Sequence, residues 1–174
     1  YLLIKADGDN LDSGNQNVFV DTVQLTGTPA GGNAETEDFV EIYNSSPDEV
    51  DLDGFVLKKL NGITVSTLAT ISSATPLSSG QYYLFGNSAG SYNTSISADA
   101  SYTGDLVDGD TIILMNPAPN DASMKIAQDI VGLGTTAGAY ETNAFGDTIS
   151  DGTSIERKAI PTSTTAQMAV AHAS

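Results

Sequence analysis

Cysteine is absent from the 174 residues, so no disulfide framework and no thiolate metal site exists, and the redox compartment stays open. Tryptophan is absent too, and histidine occurs once. That residue, His172, lies in a weakly patterned terminal stretch with no rigid neighbours to orient a catalytic base. There is no G-x-S-x-G elbow, and zinc catalysis fails on ligand count. Basic residues number 6 against 22 acidic, a formal net charge of −16. A charge of that sign repels phosphate backbones and anionic lipid, which excludes nucleic acid and membrane surfaces as preferred partners. No apolar run exceeds four residues, far short of the roughly 20 that a membrane helix needs. Without Trp, a sugar site lacks its best aromatic platform; Tyr82, Tyr83, Tyr92 and Tyr102 are assigned to core or edge packing. Carboxylates for glycoside chemistry are so plentiful that their presence discriminates nothing. No enzymatic activity is expected.

What is present is a β pattern. Short apolar runs recur between clusters of Gly, Asn, Asp, Ser and Pro, as in an all-β sandwich, and helical periodicity is hard to find. "VFVDTVQLT" (residues 18–26) reads as a first strand. "FVEIYN" (39–44) places Val40 and Ile42 on one face and Phe39, Glu41 and Tyr43 on the other. "VDLDGFVLKKL" turns Val50 and Leu52 inward, and its Gly54 marks a bend. Asn61-Gly62, between "LKKL" and "ITVSTL", is the sharpest hairpin signal, read as a turn with positive φ at both residues. "QYYLFGN" follows a Ser-Ser-Gly turn; "DGDTIILMNP" is a strand ended by Asn116-Pro117; "MKIAQDIVGLG" alternates; "TSIERKAI" is the last clear strand. About eight strands are expected in one domain over residues 18–160, with a polar arm at 1–17 and a tail at 161–174 that is loose or holds a short helix.

Several of these stretches, in order, resemble the lamin tail domain in its bacterial and archaeal form. "DFVEIYNSSPDEVDLDGFVL" is similar to that family's acidic strand followed by a V-D-L-(S/D)-G-(W/F) turn. "LSSGQYYLFGN", "DGDTIILMNPAPN", "AQDIVGLG" and "GTSIERKA" resemble later family strands, so the resemblance runs from about residue 18 to 159. It implies an immunoglobulin-like antiparallel β-sandwich. The family's closing loop and final strand find no counterpart after Ile160; "GDNLDSGNQNVF" (residues 8–19) resembles that loop from the other end. Within the motifs, Asn44 is placed to cap its turn, and Glu156 with Arg157 to pair on an exposed face.

Candidate functional residues follow from the arm and the turns. Tyr1, Leu2, Leu3 and Ile4 form an apolar strand that needs a sheet edge, and they precede a polar tether. They are the candidate donor strand for a neighbouring subunit, which would make the protein a self-assembling, pilus-like filament subunit with its own copies as partner. The alternative expectation is an auxiliary adhesion module of a larger secreted protein or enzyme. Asp7, Asp9 and Asp12 are the candidate calcium ligands, ahead of Asp105, Asp108 and Asp110 and of Asp48, Asp51 and Asp53. Asn44 and Asn93 sit in N-x-(S/T) patterns and are candidate glycosylation sites. A start at Tyr1 rather than Met is expected of a processed or excised chain; with processing, a secretory signal has been removed and the location is extracellular or at the cell surface.

Overall fold

Two-residue alternation builds the first sheet. The computed structural model describes residues 18–25, 38–90, 97–118, 121–134, 136–139, 153–157 and 171–173, the first group and the last two as backbone only. β1 (Val18–Leu25) lies between β11 (Thr153–Arg157) and β2 (Phe39–Asn44), antiparallel to both. β2 pairs onward with β7 (Tyr82–Asn87). In β2 the expected faces hold, with Val40 and Ile42 fully buried and the residues between them half-buried. β8 (Ala100–Tyr102) closes this sheet beside β7, and it runs parallel to it, a departure from the all-antiparallel expectation. Asp99 makes that junction possible: its Oδ2 accepts from the Leu84 N–H at 2.8 Å, and its own N–H donates to the Leu84 carbonyl. At the other edge β12 (Ala171–Ala173) pairs with β11, so the end of the tail is a strand, neither loose nor helical.

The facing sheet has four antiparallel strands in the order β10-β9-β4-β5. β4 (Val56–Asn61) and β5 (Thr64–Thr70) form the expected hairpin, one residue out of the expected register. Asn61 pairs with Thr64, so the loop is Gly62-Ile63. Only Gly62 has positive φ (58°), the signature of a II′ turn with Gly first, because Ile63 carries a β-branched side chain that the left-handed region rejects. β9 (Thr111–Ala118) runs through Pro117 instead of ending there, and β10 (Asp121–Gly132) pairs along it. The alternation expected in β10 fails at a register shift between Ala127 and Asp129, where Gln128 and Asp129 are both buried. A two-stranded sheet of β3 (Val50–Asp51) and β6 (Pro76–Leu77) spans one end.

Both main sheets point large apolar side chains into one core. Val40, Ile42 and Phe85 come from one side, Leu57, Ile112 and Leu114 from the other, and Leu52, Phe55 and Leu133 from connections. Gly54 (φ 80°) lets the chain turn from β3 into β4, with the Phe55 N–H donating to the Leu52 carbonyl. No Cβ fits there, because it would stand 2.8 Å from Cγ of Pro117. Among the described residues there is no helix, and none long and apolar enough to cross a membrane. Among the described residues there are twelve strands, more than the eight or so expected; the short β3, β6, β8 and β12, of two or three residues each, make the difference.

Truncating the packed ring in Phe55→Ala is expected to cost about 3–5 kcal/mol in a urea titration. Ile63→Ser, at a residue 99 % exposed, should stay within about 0.5 kcal/mol of wild type. Equal losses for the two would contradict this core.

Candidate functional site: an open sheet edge and the node that holds it

β5 is an edge strand. Among the described residues it pairs on one side only, with β4. Residues 64–67 are exposed, whereas Leu68 and Ala69 turn toward the core. The two-residue loop makes Asn61–Thr64 the closing hydrogen-bonded pair, so ladder alternation aims the backbone groups of Val65 and Thr67 away from β4. Ile63 at 99 % and Val65 at 54 % exposure add apolar side chains at the same corner. Natural edges are usually blunted by charge or proline; residues 63–70, "ITVSTLAT", contain neither.

This corner is fixed from below by Asp110, which is fully buried. Its Oδ1 accepts from Asn61 Nδ2 at 2.6 Å, and its Oδ2 accepts from the Val107 N–H at 3.0 Å. Lys59 Nζ lies 3.4 Å from Oδ2 and also donates to the Asp105 carbonyl at 2.5 Å. The Asp110 carbonyl accepts from the Leu133 N–H at 2.8 Å. One residue thereby joins the end of β4, the turn before β9 and the exit of β10.

At the opposite end, the Asn44 amide performs the capping role expected of it. Oδ1 accepts from the Ser46 N–H at 2.9 Å, and Nδ2 donates to the carbonyls of Asp48 (2.9 Å) and Leu77 (2.8 Å). Asn44 is 0 % exposed and both amide hydrogens are engaged, so a glycan there is incompatible with this fold, and Asn44 drops out as a glycosylation candidate. Asp51 joins β3 to the chain before β6. Its Oδ1 accepts from the N–H groups of Thr75 (2.8 Å) and Asp53 (3.0 Å), and these bonds, Thr75's foremost, hold its carboxyl below the usual carboxylate range. Tyr102 is buried, and burial, then the charges of Asp38 and Asp105, drive its phenol far up, so it remains neutral.

The other candidates divide by position. Tyr1, Leu2, Leu3, Ile4, Asp7, Asp9, Asp12, Tyr92 and Asn93 lie outside the described residues. His172 sits opposite Glu156 in the β11–β12 ladder; the side chains of Glu156 and Arg157 lie outside what is described. Among the described residues no three His, Asp or Glu side chains converge as a metal site. Asp105, Asp108 and Asp110 form no such group; the Asp105 carbonyl and the Asp110 carboxylate are both engaged by Lys59. Of the tyrosines, Tyr83 packs edge-on against Phe85 and Tyr82 stacks on Tyr43, the packing roles expected of them. The Asp110 node was missed as a unit by sequence reasoning; its signal was Lys59 and Asn61, two polar residues on one face of a strand.

Two sheets around one core define an immunoglobulin-like module, with β5 as an open edge among the described residues. Residues 12–131, well over half of the chain, match the sequence model of the Lamin Tail Domain, and the chain belongs to that family. The match takes in the last residues of the polar arm and stops before "GTSIERKA". No curated protein matches the chain significantly.

Lys59→Met, which leaves the Asp110 carboxylate buried without its cation, is expected to cost about 3–5 kcal/mol in a denaturant titration. A loss under about 1 kcal/mol, the value of an exposed pair, would show the node to be solvated. Asp51 gives a pH test. Its folded carboxyl titrates below its unfolded value, so its contribution is present above about 3.9 and is lost as pH falls through the lower folded value. The stability gap between wild type and Asp51→Ala should therefore close on acidification; a gap independent of pH would remove the role given to the carboxylate.

Proposed function

We propose that this protein is a non-catalytic, extracellular assembly module whose N-terminal strand adds to the sheet edge of the next copy, building a filament at the cell surface. The observation that carries the reading is the exposed half of β5, residues 64–67, whose outward backbone groups have no strand partner among the described residues and no charge or proline to blunt them. The sequence supplies a matching donor. Tyr1, Leu2, Leu3 and Ile4 are uniformly apolar, and the 13 polar-rich residues 5–17 reach roughly 40 Å when extended, at ~3.3 Å each. Backbone hydrogen bonds give such a contact its affinity, and alternate side chains give it specificity. Because donor and acceptor are different surfaces, the contact is head-to-tail and propagates. The net charge of −16 opposes association, and a divalent cation on Asp7, Asp9 and Asp12 would reduce that repulsion.

Deletion of residues 1–5 should abolish assembly in analytical ultracentrifugation while leaving soluble, β-rich monomer. Val65→Lys with Thr67→Lys should do the same from the acceptor side, since edge lysines discourage strand addition. Intact protein that sediments as a monomer at high concentration, both with calcium and with chelator, defeats the reading. Association that survives the deletion but not the lysines would point instead to an adhesion module that takes its strand from another chain.

A further inference from the structure

From Asn61-Gly62 the hairpin takes the glycine's left-handed φ, the Asn61–Thr64 pair and the bond from Asn61 to Asp110. The same dipeptide carries a reactivity that the fold leaves unused. A side-chain amide followed by glycine is the arrangement in which the next backbone nitrogen meets least hindrance on its way to the amide carbon. Three observations bear on it. Asn61 is exposed. The Gly62 N–H makes no hydrogen bond among the described residues, and nothing lies within 4 Å of the position a Cβ would take there. The Asn61 amide, finally, rests on a buried charge, donating through Nδ2 to Asp110 Oδ1 at 2.6 Å.

We propose that Asn61 is a site of spontaneous deamidation, and that its conversion to a carboxylate unseats the β4–β5 hairpin by setting a second negative charge against buried Asp110. The Gly62 nitrogen, its proton taken by solvent base, attacks Cγ of Asn61. The Cγ–Nδ2 bond breaks, and the departing nitrogen takes up a proton and leaves as ammonia. Water then opens the five-membered imide at either carbonyl, leaving aspartate or isoaspartate. One water is consumed and one ammonia released, with no oxidant, reductant or enzyme.

Either product removes the N–H that Asp110 accepts and puts an acceptor oxygen in its place. That oxygen faces Asp110, which is held by the Val107 N–H and by Lys59, whose Nζ is already shared with the Asp105 carbonyl. One cation then faces two carboxylates in a site closed to water on the Asp110 side, where like charges cannot both ionise without penalty. Isoaspartate also lengthens the main chain at the pair Asn61↔Thr64, which closes the hairpin. The result is a slow, one-way weakening of the β5 edge, and it holds whether or not that edge accepts a strand.

The test ages the full chain at mildly alkaline pH and weighs the proteolytic peptide containing Asn61, beside a sample aged in denaturant. The native sample should accumulate the amide-to-acid mass gain at Asn61, and its converted fraction should melt below fresh protein. Gly62→Asn, strained at this glycine position but of a residue type that such turns admit, should suppress the gain. Asn61→Asp should reproduce the lowered melting temperature, and Asn61→Asp combined with Asp110→Asn should recover much of it by exchanging donor and acceptor. If Asn61→Asp alone does not fold and the double variant does, the conclusion is the same. A native sample without mass gain, under conditions in which the denatured chain converts, overturns the proposal. So does converted protein, or Asn61→Asp, that melts with the wild type.

Discussion

A carboxylate removed from water must be surrounded by donors, and Asp110, with no exposed surface, meets this requirement where three parts of the fold converge. The three partners of its carboxylate come from two separate parts of the chain: Lys59 and Asn61 from β4, Val107 from the preceding turn. Its backbone carries the Leu133 contact from the far end of β10. Apolar packing alone would hold the two sheets together without fixing how the strand ends align. The node sets that alignment, because each partner has one position from which it satisfies the charge. At the hairpin tip beyond it, Ile63 stands free in solvent.

Similar polar fasteners recur at the other corners. Asn44 binds the turn after β2 to Leu77, Asp51 binds β3 to Thr75, and Asp99 supplies the contacts that let β8 lie parallel to β7. Each replaces a ladder hydrogen bond where a strand begins, ends or changes neighbour, and so keeps buried backbone groups satisfied. The acidic composition therefore has two uses. Part of it is surface charge; part is internal fastening, which the count of 22 acidic residues does not reveal. This lamin-tail module is thus a fastened two-sheet body that presents one open strand edge among the described residues.

Reading the sequence recovered the strands that alternate cleanly. Val40 and Ile42 in β2, and Val50 and Leu52 beyond it, bury as their spacing says they should. It recovered the hairpin but shifted its loop by one residue, since a Gly accepts positive φ in either turn type and the choice rests on Ile63. It failed in β10, because a bulge inserts a residue without leaving any mark in the pattern. It read Asn44 two ways, as turn cap and as glycan acceptor, and only burial separates them. β12 was invisible because three residues of "AHA" carry no periodicity; their strand exists through pairing with β11.

The sequence by itself determined the class of fold, the family and the inward faces of most long strands, since these depend on local spacing and on which side chains avoid water. Tertiary structure alone decided the parallel pairing of β8, the phase of β10, the partners of Asp110 and the exposure of β5. Those features join residues as much as 49 positions apart, as Asn61 and Asp110 are. No local pattern encodes such a contact; it arises when a buried charge and its donors are brought together by the packing of strands that each fold for their own apolar reasons.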